Sequence, residues 1–292
     1  MNRRRADAAL ALNTVLWGAT FLLIKAALRD VSAVLFLALR FSLAAAALLL
    51  VYRKKLRGSG GRRLWRAGIL TGVLMFAGFL LQTQGLRFTT APKSAFITGL
   101  STVMVPLVAA LVYKIRPQIS EVVGVLVATL GMGLMTLEGP IGSVSRGDVL
   151  TFFCAIAFAG HIVTLGHFTA VVSFELLSVT QVSVAAISAV SLFWWVETPW
   201  VVWQPAVVWA ILVAGLLCTA FAVTIQAWAQ RYTTPTRTAL IFALEPVIAW
   251  VTSYAIAGEG LSGRAAVGAA LILGGVMLVE VKPLDSPVHP NE

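Results

Sequence analysis

Charge is scarce in this sequence: only 12% of its 292 residues are Asp, Glu, Lys or Arg, about half the share found in a soluble domain. Acidic residues are the rarer kind, 12 against 22 basic ones. With 59% of the chain hydrophobic, there is too little polar surface to wrap a water-soluble core, so the solvent is lipid. Cysteine is nearly absent. Cys154 and Cys218 both fall inside apolar runs, which excludes a disulfide framework and a thiolate metal site. No Walker-type phosphate loop is present, and little chain is left over for a soluble ATPase domain, so any driving energy comes from gradients. No His-Glu metal motif or pair of carboxylates lies at membrane depth to support an intramembrane enzyme, and no cofactor or metal is implied. The opening "MNRRRADAALALNTVLWGATFLLIK" has a basic start and an apolar core. Its run is too long for a signal peptide and no small-residue cleavage site follows, so it reads as a retained helix.

What is abundant is the long apolar run. About twenty apolar residues cross a bilayer as a helix, and such runs recur at 8–28, 32–52, 64–86, 92–113, 119–138, 147–168, 174–196, 205–229, 236–257 and 263–281. The expected fold class is all-α integral membrane, with ten transmembrane helices. With the N-terminus placed in the cytoplasm, 15 of the 22 Lys and Arg fall in inner loops, five in outer loops, and Lys25 and Arg40 within spans. That is the positive-inside pattern, with both termini cytoplasmic. A nucleic-acid surface would need a folded soluble face, which the chain lacks, so the +10 charge reports orientation in a lipid bilayer. Trp194, Trp195, Trp200 and Trp203 anchor the outer interface. Residues 282–292 form a Pro-rich cytoplasmic tail.

The chain repeats itself. Displaced by 144 residues, "QTQGLRFTTAPKSAFITGL" lies on "QAWAQRYTTPTRTALIFAL" without a gap. Gln82 meets Gln226, Arg87 meets Arg231, and Thr89 and Thr90 meet Thr233 and Thr234; Gly124/Gly268 and Gly131/Gly275 continue the register. Shared hydrophobicity does not produce a clustered Gln, Arg and Thr-Thr. The first helix answers the sixth more weakly, with Trp17 facing Phe158 and Thr20 facing His161. Two repeats of five helices follow, 8–138 and 147–281. Five is odd, so the second enters the membrane from the opposite side, and inverted repeats are a hallmark of secondary transporters.

"LWGATFLLIK", "LALRFSLAAA", "ALEPVIAWV" and "GEGLSGRAAVGAALILGGVML" resemble EamA-type members of the drug/metabolite transporter superfamily. The resemblance covers almost the whole chain, in two copies. It implies a ten-helix, multi-pass exporter of small metabolites in a bacterial inner membrane, with amino acids among the substrates, as monomer or homodimer. The halves are not equivalent: Thr102 stands opposite Pro246, and the first repeat lacks the Gly258–Glu259 pair.

Candidate functional residues are the polar and aromatic groups at depth. Glu245 is costly in a membrane helix, so it faces a partner or a wet cavity. Arg40 is the other deep charge in the middle of a span. Either the two form a structural tie between the second and ninth helices, or Glu245 faces substrate or protons. Pro106 and Pro246 are expected to break the fourth and ninth helices and to serve as hinges, or only to shape the bundle. The register partners Gln82 and Gln226 suit a cavity wall, or an interhelical hydrogen bond. Thr98 and Ser101 lie one turn apart, Ser101 opposite Glu245. Trp17, Phe21, Phe79, Phe158 and Trp228 either line an apolar pocket or pack the bundle. His161 is a buried polar group or a proton carrier. Gly124, Gly131, Gly133, Gly268, Gly274 and Gly275 allow close packing of the fifth and tenth helices. A small amphiphilic metabolite, most of all an amino acid, is the expected substrate. A lipid-carrier flippase or phosphorylated-metabolite antiporter would want several cavity cations, and a receptor leaves the duplication unexplained.

Overall fold

The computed structural model describes residues 2–56, 61–89, 91–114, 117–136, 145–248, 251–252 and 263–281. Among these, every long element is helical, and the extended pairing is an isolated bridge between Val31 and Val201. The helices are α1 (Asn2–Ala27), α2 (Ala33–Tyr52), α3 (Arg62–Gly85), α4 (Ala91–Gly99), α5 (Ser101–Tyr113), α6 (Ile119–Thr136), α7 (Arg146–Thr169), α8 (Phe174–Val196), α9 (Pro205–Leu212), α10 (Ala222–Ala229), α11 (Pro235–Phe242) and α12 (Gly263–Val281). A π-helical segment, Val213–Phe221, joins α9 to α10. Among the described residues, seven helical stretches are long and apolar enough to cross a membrane, and Ile119–Leu134 and Gly263–Leu278 are apolar but shorter. The outside of the bundle is greasy: Leu50, Val51, Leu111 and Ile187 are 66–84% exposed. Apolar exposure on that scale marks a surface meant for lipid.

Local chemistry sets the helix ends. Ser145 accepts from the Asp148 amide while the Asp148 side chain accepts from the Ser145 amide, a capping box that starts α7. Pro205 and Pro235 open α9 and α11, where a missing N–H costs nothing. Lys114, at φ 56°, turns the chain out of α5.

The fourth and ninth spans are each interrupted, and at the same place. Leu100 N donates to Ile97 O at 3.1 Å, and Leu244 N donates to Ile241 O at 3.1 Å. These residues are register partners at a displacement of 144. The breaks therefore belong to the repeat rather than to proline. Pro246 follows its break by two residues, whereas Pro106 sits six beyond Leu100, inside an unbroken α5. The expectation that Pro106 breaks the fourth helix is corrected: the tight i−3 turn at Leu100 does so instead.

Packing follows the duplication as well. α6 lies on α12, where a Cβ on Gly131 would stand 2.5 Å from Gly268 O and one on Gly275 would stand 2.6 Å from Gly124 O. Such reciprocity is what an approximate two-fold produces. Gly274 meets nothing within 4 Å, so it takes no part. α3 packs on α7 as α1 packs on α9, the π segment and α10, and α2 packs on α8. We term the end holding the start of α1 the near end, and the other, where Ser32 N donates to Trp200 O, the far end.

Candidate functional site

A cavity lies between the halves, with about 1080 Å³ of empty space including its open mouth. Trp17 and Glu245 face it from the first and ninth spans, Phe79 and Gln82 from α3, and Phe158 and His161 from α7. Thr98, Ser101, Gln226, Arg40 and Pro246 complete the set of expected residues on its wall. Two others are placed differently. Trp228 packs against Tyr232 at 5.6 Å beside Ala6 and Leu10, near the near end. Pro106 is buried in α5, away from the wall. The side chain of Phe21 lies outside the described residues, as do Gly258 and Glu259.

Arg40 and Glu245 share this cavity without pairing. Arg40 is buried, and its Nε and Nη2 donate to Thr219 Oγ1 at 3.2 and 2.8 Å. Its guanidinium also stands 4.5 Å from the Phe79 ring centre and 5.4 Å from that of Phe41, an arrangement that the planar, weakly hydrated cation suits. Among the described residues neither Arg40 nor Glu245 has an ion-pair partner within 4 Å. The expected Arg40–Glu245 tie is corrected: hydroxyl and aromatic faces accommodate the cation, and the half-buried carboxylate is left on the wall.

The π segment prepares this arrangement. The Thr219 hydroxyl donates to Ala214 O at 2.7 Å, five residues back, which turns its lone pairs toward Arg40. The Ala222 amide donates to Leu217 O and Thr219 O. Cys218 O, passed over, accepts the Trp17 indole at 2.9 Å. π insertions inside α-helices often mark functional sites for this reason: they release backbone groups. Gly215 lets α2 approach, since a Cβ there would lie 3.0 Å from Arg40 O.

The amides take part in networks. Gln82 donates to Thr98 Oγ1 at 3.4 Å. Gln226 donates to Gln230 Oε1 at 3.3 Å, and Gln230 donates to Ile162 O at 3.0 Å. His161 Nε2 lies 3.0 Å from Gln181 Oε1. Edge-to-face pairs Trp17–Phe242 at 4.9 Å and Phe79–Phe158 at 5.2 Å form two apolar walls. Trp17 and Phe158 are the register partners of the first and sixth spans.

Sequence reasoning missed one strong interaction. Arg237 donates from Nε and Nη2 to the Asp7 carboxylate at 3.0 and 2.9 Å, both side chains buried at the near end. The duplication carries a signal for it. Asp7 and Asp148 are partners at the displacement that matches Trp17 to Phe158, and Arg237 is the partner of Lys93. Asp148 sits at the far end, where Thr89 donates to it at 2.7 Å.

Two similar halves of long apolar helices around an apolar cavity with a few polar groups define a polytopic membrane protein. The EamA-like transporter family matches residues 4–137 and again 145–281, and the chain belongs to that family. It is 32% identical over 282 residues to an uncharacterized transporter of Archaeoglobus fulgidus, covering 97% of this chain and 88% of that protein. It is 27% identical to the uncharacterized transporter YyaM of Bacillus subtilis, over 90% of each. A solved crystal structure with 19% identity shares the fold, with a TM-score of 0.76 over 95% of this chain and 96% of the other.

Proposed function

We propose that this transporter exports small amphiphilic metabolites, with neutral and aromatic amino acids as the preferred class. It works by alternating access across a bacterial inner membrane. The reading takes ten spans with both termini in the cytoplasm, so that the near end is cytoplasmic, and two repeats of opposite orientation. One observation carries the substrate class. The central cavity presents a cation, Arg40, and a carboxylate, Glu245, that do not neutralise each other, on walls that are otherwise aromatic and apolar. A molecule with a carboxylate, an ammonium and an apolar side chain complements such a wall. A phosphorylated metabolite is disfavoured, because Arg40 is the only Lys or Arg among the described lining residues. The test is counterflow in proteoliposomes with neutral, acidic, basic and aromatic amino acids, using nucleosides and sugars as controls. Neutral and aromatic amino acids exchange under this account; exchange confined to nucleosides or sugars overturns it.

A further inference from the structure

We propose that the near end is held shut by a polar seal that the far end cannot reproduce, so that Gln230, Thr102 and Glu121 bias the protein toward a far-open resting state. The inference rests on the alternating-access reading above. In an inverted repeat, the opposite state is reached by letting each half adopt the other's arrangement. A contact present in both halves survives that exchange, and a contact present in one half is broken by it.

The two kinds separate cleanly. Gly131–Gly268 has Gly275–Gly124 as its counterpart, and α3 on α7 has α1 on α9 and α10. Three hydrogen bonds at the near end are of the second kind, two of them joining the halves and the one from Gln230 lying within the second repeat. Gln230 Nε2 donates to Ile162 O at 3.0 Å, Thr102 Oγ1 to Ala239 O at 3.2 Å, and Thr234 Oγ1 to Glu121 Oε1 at 2.8 Å. The register partners of Gln230, Thr102 and Glu121 are Leu86, Pro246 and Ala265, and none of these side chains can donate or accept a hydrogen bond. Ala239 corresponds to Ala95. Leu86, Ala95 and Pro246 line the cavity, as Thr102 does, whereas Gln230, Ala239 and Glu121 do not.

Closing the far end therefore brings Leu86 and Pro246 into contacts that replace none of the three bonds. Those bonds are lost without substitutes each time the near end opens. One intramolecular bond contributes modestly, but two removed together change the ratio of states by about tenfold.

The experiment uses the full-length protein in oriented vesicles, with Cys154→Ala and Cys218→Ser as background. A single cysteine is placed at Ala239→Cys (near end) or Ala95→Cys (far end), and labelling by a membrane-impermeant maleimide is timed from each side. In the parent, the far position labels and the near one is protected. With Gln230→Leu and Glu121→Ala together, labelling rises at Ala239→Cys and falls at Ala95→Cys. Leu86→Gln, which gives the far end a donor of its own, shifts both positions toward near-end opening. Simple destabilisation would raise both positions, so opposite shifts identify a gate. Rates that stay constant at both positions, or rise at both, overturn the seal. Flux is measured on the same vesicles: absent flux with opposite labelling shifts refutes the transport reading and leaves the seal intact.

Discussion

Arg40 and Thr219 meet across the two repeats, the guanidinium donating two hydrogen bonds, at 3.2 and 2.8 Å, to one hydroxyl oxygen. This oxygen is available because the π segment points the Thr219 hydroxyl hydrogen at Ala214 O. Thr219→Val keeps the shape and removes the acceptor. Hydrogen bonds to charged groups contribute about 1.5–3 kcal/mol, so thermal unfolding in detergent is expected to fall by a free energy of that order. Arg40→Met in addition should restore much of the loss, because no buried cation then lacks a partner. A double variant no more stable than Thr219→Val alone would contradict this.

The Asp7–Arg237 pair joins the first and ninth spans with both partners buried. Removing one side leaves an uncompensated charge, so Asp7→Asn and Arg237→Met should each destabilise by about 3–5 kcal/mol. The two changes together should cost less than their sum. Unfolding measured on the two single variants and the double gives the coupling directly.

The two prolines should behave differently. Pro106 is buried in a continuous α5, and the break six residues earlier persists without it. Pro106→Ala should leave exchange rates unchanged. Pro246 lines the cavity directly behind the second break. Pro246→Ala supplies an N–H that can bond Phe242 O and stiffen this segment, so exchange should slow while expression holds. Equal behaviour of the two variants in counterflow would contradict the distinction.

Close approach of α6 and α12 depends on particular glycines. Gly131→Ala places a Cβ against the Gly268 carbonyl oxygen, and overpacking of that kind typically costs about 1–3 kcal/mol. Gly274→Ala meets open space and should be neutral or slightly stabilising. Thermal unfolding of the two variants side by side checks the contrast.

Much of this was legible in the sequence. Apolar runs and the displacement of 144 residues outline the helices and the duplication, because both are linear properties of the chain. The polar residues inside those runs, Gln82, Gln226, His161 and Glu245, do reach one cavity. Their neighbours were harder to read. Arg40 and Glu245 have similar depths, but depth along two helices leaves their rotations open, and rotation sends Arg40 to Thr219. The π segment that prepares Thr219 has no residue signature in "VAGLLCTAF". Arg237 reads as one more inner-loop cation until Asp7, at the end of an apolar run, is seen to be its partner.

The central claim is that the cavity recognises two opposite charges on one small apolar molecule. Competition in proteoliposomes tests it most directly, with counterflow of a labelled aromatic amino acid challenged by its unlabelled form, its primary amide and its N-acetyl derivative. The amide lacks the anion and the acetyl derivative lacks the cation. The account predicts competition by the intact amino acid alone. It also predicts that Arg40→Met ceases to discriminate against the amide, and Glu245→Gln against the acetyl derivative. Equal competition by all three compounds in the wild-type protein would contradict it.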